Sequence, residues 1–176
     1  MKTSVALIGF MGTGKTAVGR ALAKKLGKSF IELDPLIEQK AKKTIPEIFR
    51  EEGEIAFREL EIAVTKEAAG EKDSVIACGG GVVLNKINID RLKKEGVIIY
   101  LTASPKVILK RTLNDDEERP LLKVADPTQT IKELLRFRKP FYERAADITI
   151  NTSRLSIDSV VEQIITRLKE YEGFHL

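Results

Sequence analysis

The chain has 176 residues, of which 43% are hydrophobic and 32% charged, and its formal net charge is +4. That length suits one domain, 1–176, with a substantial core, and so modest a charge argues against a dedicated nucleic-acid surface and for small anionic ligands. No apolar run approaches the ~20 residues of a membrane span, the first strand starts too early to leave room for a secretion signal, and the single cysteine, Cys78, excludes an internal disulfide; the expected location is the cytoplasm.

Apolar, β-branched runs at 3–8, 29–33, 74–78, 97–101 and 147–150 predict strands. Several are continuous Val/Ile/Leu stretches, as strands buried on both faces require. Helical patterns at 15–26, 46–69, 85–95, 105–113, 128–145 and 156–171 separate and follow them. The alternation predicts an α/β fold, with a parallel sheet of about five strands between helices on both faces. Two segments break the rhythm. Residues 34–69 are too long for a simple crossover and predict a small helical insertion. Residues 114–126 are polar, contain Pro120 and stop before Pro127, and predict a mobile loop. Both leave from the carboxyl ends of strands, where open α/β sheets bind ligands, so both can close over a site.

Directly after the first strand comes Gly9-Phe10-Met11-Gly12-Thr13-Gly14-Lys15-Thr16, which matches G-x-x-x-x-G-K-[ST]. The glycines let the backbone curl until successive N–H groups face one anion. The following helix adds its unpaired N–H groups and the positive end of its dipole. Lys15 can reach the β- and γ-phosphates, and the Thr16 hydroxyl suits Mg²⁺.

Glu32 and Asp34 stand at the end of the second predicted strand, where an i,i+2 pair points to one side. Two readings are open for Asp34: a helix cap before Pro35, or a group that holds Mg²⁺ and orients an acceptor hydroxyl. The third and fourth strands end without an acid, which favours a metal role for Glu32 or Asp34. Gly79-Gly80-Gly81 follow the third strand and predict a close backbone approach to a ligand. Cys78 reads as a buried strand residue, and His175, in the tail, as disordered or inert. Arg58, Arg119 and Arg138 lie where the insertion, the loop and the last long helix reach past the sheet, and a guanidinium forks onto carboxylate or phosphate.

Taken together these residues resemble the shikimate kinases, from Val5 to about Thr152. Besides the phosphate loop the likeness rests on Phe57-Arg58-x-x-Glu61, the glycine triplet, Arg119-Pro120-Leu121-Leu122, Arg138-x-Pro140-x-Tyr142 and Ala146-Asp147. It implies a P-loop kinase three-layer sandwich of strand order 2-3-1-4-5, with 34–69 as substrate-binding insertion and 114–126 as lid. The implied activity is transfer of the γ-phosphate of ATP to the 3-hydroxyl of shikimate, giving shikimate 3-phosphate on the route to chorismate and the aromatic amino acids. The implied catalytic residues are Lys15, Asp34 and Arg119, with Asp34 as base. Gly12, Thr13, Gly14, Lys15, Thr16, Ala17, Arg111, Arg119 and Arg154 would hold the nucleotide, Arg111 by stacking on adenine. Asp34, Phe49, Phe57, Arg58, Gly79, Gly80, Gly81 and Arg138 would hold shikimate, the two arginines by its carboxylate. Mg²⁺ would meet Thr16, with Glu32 and Asp34 acting through water. The expected protein is a monomer without nucleic-acid or membrane partners.

One departure stands out: the family reads Asp-x-Asp where this chain has Glu32-Leu33-Asp34. Rival readings are a gluconate-type or nucleoside-monophosphate-type kinase, which the glycine triplet and Phe57-Arg58 oppose, and a catalytically silent ATP-binding regulator, whose one support is Glu32.

Overall fold

The computed structural model describes residues 1–114 and 122–176. Its sheet consists of β1 (Ser4–Ile8), β2 (Ser29–Glu32), β3 (Ser74–Ala77), β4 (Gly96–Thr102) and β5 (Ile148–Asn151). All pairings are parallel, in the order β2-β3-β1-β4-β5. Successive side chains of a strand point to opposite faces, and the core follows that rule. Ala6 and Ile8, Ile76, and Ile98 and Tyr100 face one apolar cluster; Val5 and Leu7, Val75, and Val97 and Ile99 face the other. The second cluster is closed by α1 (Lys15–Leu26) and α8 (Ile157–Lys169), through Val18, Leu22, Val160 and Ile164. The first is closed by α2 (Leu33–Ala41), α3 (Ile45–Glu51), α4 (Gly53–Ala69), α5 (Lys86–Glu95), α6 (Pro105–Leu113) and α7 (Pro127–Ala145). Fully burying such an aliphatic side chain contributes roughly 1.5–3 kcal/mol, and Val5, Leu7, Ile8, Val97, Ile98 and Ile99 are all completely buried.

Three expectations change. The predicted 46–69 helix is two helices, α3 and α4, because Gly53 takes φ 85°, a left-handed value that breaks the helical path after Glu52. Thr44 starts α3 with a reciprocal cap, accepting from the Glu47 N–H while Glu47 accepts from the Thr44 N–H. The first helix of the expected insertion, α2, begins directly where β2 ends, earlier than a cap at Asp34 requires, so Glu32 occupies the cap position and Asp34 lies inside the first turn. The capping reading of Asp34 is therefore wrong, and its carboxylate owes its place to something else. The tail is also not loose: the His175 N–H donates to the Lys2 carbonyl at 2.8 Å and Phe174 bridges to Lys2.

Candidate functional site

The loop between β1 and α1 curls over the carboxyl edge of the sheet. Gly9, Gly12 and Gly14 have φ of 149°, 76° and 98°, values that only glycine takes at little cost. Space reinforces the requirement: a methyl on Gly9 would lie 2.4 Å from the Leu101 carbonyl oxygen. Gly14 caps α1, so the loop runs into the positive end of that helix. Lys15 folds back, and its Nζ donates to the carbonyls of Gly9 at 2.8 Å and Phe10 at 2.9 Å.

Beside the loop is a cleft of about 520 Å³, lined by Gly12, Gly14, Lys15, Thr16, Ala17, Glu32, Asp34, Cys78, Gly79 and Gly80. The phosphate loop and the acid pair thus share one cavity. Glu32 and Asp34 do not share the strand face that the i,i+2 spacing predicts; they straddle a strand-to-helix junction and both line the cleft. Thr16 Oγ1 donates to Glu32 Oε1 at 2.6 Å, and Arg20, one turn further along α1, approaches the same carboxylate at 3.9 Å. A hydroxyl and a carboxylate in contact at the mouth of a phosphate loop are hard oxygen donors, as Mg²⁺ prefers. Cys78 is buried, and burial pushes its thiol pKa far up, with Lys15 opposing and Glu61 and Asp34 adding to the rise. A thiol so placed is inert.

The far wall belongs to the glycine triplet and four charged side chains. A methyl on Gly79 would stand 3.0 Å from Asp34 Oδ1 and 3.1 Å from Glu61 Oε2; one on Gly80, 3.4 Å from Arg138 Nη1; one on Gly81, 2.3 Å from Arg58 Nη1. Consecutive glycines therefore clear room for a carboxylate pair and two guanidinium groups. Arg58 donates to Glu61 Oε1 at 3.0 Å and to Glu54 Oε1 at 3.2 Å, and its guanidinium lies 5.0 Å from the Phe57 ring centre. The Phe49 ring packs against Phe57 in a tilted arrangement, 4.8 Å between centres. Arg138 is 97% buried (3% exposed), lies 5.7 Å over the Phe10 ring, and comes from α7, as does Tyr142, whose hydroxyl donates to the Gly80 carbonyl.

Glu61 received no role from sequence. It is 1% exposed, and burial raises its carboxyl pKa while the Arg58 charge pulls it back down. Its i,i+3 spacing from Arg58 on one helix was the available signal. Tyr142 was visible only as part of a motif. Nothing in the sequence singled out Thr152, whose Oγ1 accepts a hydrogen bond from Arg111. Arg111 itself lies against the phosphate loop, donating to the Gly12 carbonyl at 3.1 Å. Arg154 is exposed and lines a second groove, of about 890 Å³, with Ser104, Lys106, Lys110 and Asn151. Arg119 and most of the expected lid lie outside the described residues.

A family profile described as shikimate kinase matches residues 11–169. The chain is 48% identical over 170 residues to a shikimate kinase of Caldanaerobacter subterraneus subsp. tengcongensis, covering 97% of this chain and 98% of that protein. It is 50% identical over 169 residues to one of Thermodesulfovibrio yellowstonii, covering 96% and 95%. Among solved structures, shikimate kinase from Acinetobacter baumannii in complex with shikimate superimposes with a TM-score of 0.93 at 38% identity, over 98% of this chain and 96% of that one.

Proposed function

The chain belongs to the shikimate kinase family, and we propose that its cleft carries out phosphoryl transfer from ATP to the 3-hydroxyl of shikimate, giving shikimate 3-phosphate and ADP for aromatic amino-acid biosynthesis. The observation that supports this most directly is that Arg58 and Arg138 abut adjacent glycines beside the Lys15–Asp34 cleft. A phosphate loop alone serves many acceptors. A loop facing one carboxylate and two guanidinium groups suits an acceptor that carries both a hydroxyl and a carboxylate.

Phosphoryl transfer asks mainly for positioning and charge stabilisation. The Gly12–Thr16 backbone and the start of α1 hold the donor's phosphates. Lys15 leaves the Gly9 and Phe10 carbonyls to meet the charge on the transferring group. Arg58 and Arg138 fork onto the acceptor carboxylate, turning its hydroxyls toward Asp34. Asp34 orients the attacking hydroxyl and accepts its proton late in transfer. Glu61 fixes Arg58, and the Tyr142 hydroxyl fixes the Gly80 carbonyl. Phe49 and Phe57 form the apolar floor beneath Arg58. Arg111 and Arg154 flank the adenine end, and Arg119 closes from the lid.

Thr16, Glu32 and Asp34 fit Mg²⁺ by their chemistry, since all three present oxygen and Thr16 already touches Glu32. Bound there, Mg²⁺ would neutralise phosphate charge and act as Lewis acid. The longer reach of Glu32 does not take it away from the loop, which removes the support for a silent regulator. Among the described residues no helix is long and apolar enough to cross a membrane. The reading extends to a cytoplasmic monomer without nucleic-acid partners, in keeping with the mixed surface charge and a single buried cysteine.

The test is coupled ADP release with ATP and a panel of acceptors. Shikimate should support turnover, while gluconate and nucleoside monophosphates should not. Nucleotide binding with no transfer to shikimate would overturn the assignment.

A further inference from the structure

A buried hydroxyl behind the phosphate loop has no part in the reaction as described, yet three segments of the nucleotide side meet on it. Thr152 follows β5 and is 3% exposed. Its Oγ1 lies 2.9 Å from the Thr13 carbonyl and 3.1 Å from the Thr102 carbonyl, and it accepts from Arg111 Nη1 at 3.1 Å. The Thr102 carbonyl already receives the Thr152 backbone N–H at 2.7 Å. The one hydroxyl proton therefore serves Thr13 best, and a hydroxyl lone pair serves Arg111. Arg111 Nη1 also donates to the Gly12 carbonyl at 3.1 Å, and its Nη2 to the Thr152 carbonyl at 2.9 Å. Helix α6, which carries Arg111, presses on the same loop: a methyl on Gly12 would sit 3.2 Å from Thr112 Cγ2 and 3.3 Å from the Ile108 carbonyl.

We infer that Thr152 is a positioning residue for the nucleotide, setting the peptide planes of the phosphate loop and the plane of Arg111 through one hydroxyl. The peptide geometry explains how. In a trans peptide the C=O and the next N–H point in opposite directions. Anchoring the Thr13 carbonyl outward on Thr152 sends the Gly14 N–H the other way, toward the cleft that Gly14 lines. Anchoring the Gly12 carbonyl on Arg111 likewise steadies the turn in which the Thr13 N–H donates to the Phe10 carbonyl at 3.4 Å. Arg111 is held along its donor edge by three hydrogen bonds, so its flat face is what it presents to a ring. A planar, delocalised guanidinium stacks in that way, whereas a lysine at 111 would lose both the fork and the face. Neither the acid pair nor the Arg58 and Arg138 groups take part in the Thr152 contacts, so the effect is selective for the donor side.

This inference rests on the reading of the loop as a nucleotide cradle. The experiment is calorimetric binding of ADP to the whole chain, with steady-state KM for ATP and for shikimate, in wild type, Thr152→Val and Thr152→Ser. Valine keeps the shape and removes the hydroxyl, leaving the Thr13 carbonyl and Arg111 without it. ADP affinity and KM for ATP should worsen about tenfold, the size of one buried hydrogen bond left unmade, while KM for shikimate stays within about twofold, and serine should restore the loss. Wild-type protein that binds no ADP would defeat the cradle reading itself. ADP affinity unchanged in Thr152→Val, or an equal loss for ATP and shikimate, would overturn the role of Thr152 alone. Failure of both Thr152→Val and Thr152→Ala to fold, with Thr152→Ser folding normally, would assign the hydroxyl to stability and overturn it as well.

Discussion

The two halves of the cleft, the proposed donor side and the proposed acceptor side, are built in different ways. The donor half is backbone: eight consecutive residues, three left-handed glycines and one helix start make its anion cradle, and the principal side chain, Lys15, donates to the loop's own carbonyls. The acceptor half is side chain: Asp34 from α2, Arg58 and Glu61 from α4, and Arg138 from α7 are gathered on the glycines after β3. Backbone N–H groups are part of the fold and need no rotamer fixed. Buried guanidinium and carboxylate groups must be paired, stacked or hydrogen-bonded, or they cost more than they contribute. The acceptor half accordingly carries its own scaffold of Glu54, Glu61, Phe57 and Phe10 around the two arginines. A common anion can be held by generic geometry, whereas a particular small acid needs a dedicated set of charges.

The most severe way to break the donor half is to remove the Lys15 charge. Lys15→Ala should lower kcat about a thousandfold, the scale of losing an electrostatic contact to the transition state, with the chain still folding, as a cooperative thermal melt would show. Turnover within tenfold of wild type would show that the backbone cradle suffices alone. The corresponding change in the acceptor half is smaller and different in kind. Arg58→Ala should raise KM for shikimate roughly 10- to 100-fold, as expected for a charge-assisted hydrogen bond, with KM for ATP within about twofold. It should also lower the melting temperature, since Glu61 is left buried without its partner. An equal rise in both KM values would mean that the halves are not separate.

The same contrast explains what could be read from sequence. The donor half is contiguous, so its residue types and spacing alone predicted a strand, a curled loop and a helix in the order observed. The sheet was equally legible, because strands buried on both faces are unbroken apolar runs. The acceptor half is scattered over about a hundred positions from Asp34 to Arg138, and no local rule joins them. Only the resemblance to a family put them together. Asp34 shows the cost of local reasoning: Asp-Pro suggested a cap, but the chain enters α2 one residue earlier than the strand pattern implied, so the carboxylate faces the cleft from within the first turn. Gly53 likewise sat unnoticed in a helical pattern, since a glycine's sign of φ is not written in its neighbours. The Thr152 hydroxyl was invisible because its partners are Thr13, Thr102 and Arg111, the nearest of them in sequence 41 positions away.

A gentler change sharpens the contrast by altering the backbone of the acceptor half. Gly81→Ala puts a methyl within 2.5 Å of Arg58 Nη1, Cζ and Nη2. The obstacle is the end of a flexible side chain, so the protein should fold and Arg58 should turn aside. Moving a side chain off its preferred rotamer costs about 0.5–1.5 kcal/mol, which predicts a rise in KM for shikimate of roughly 2- to 10-fold and no change for ATP. If Gly81→Ala were instead to destabilise the chain as much as Arg58→Ala, the triplet would be serving the fold and not the acceptor.

The smallest expected effect is a dependence of stability on pH that belongs to the acceptor half through Glu61. Burial raises its carboxyl above the usual range, with Arg58 opposing and Asp34 adding a lesser push upward. In the unfolded chain the same carboxyl titrates near 4.3. Between the two values the native state binds more protons than the unfolded one, so stability falls as pH rises. The contribution is fully present below about 4.3 and is lost as pH passes the native value. Glu61→Gln removes this titration, keeps the shape and still offers Arg58 an acceptor oxygen. In thermal melts from pH 4 to pH 8, the melting temperature of wild type relative to Glu61→Gln should therefore decline as pH increases. A constant difference across that range would mean that Arg58 offsets the burial in full, making the Arg58–Glu61 pair as neutral to folding as the backbone cradle it faces.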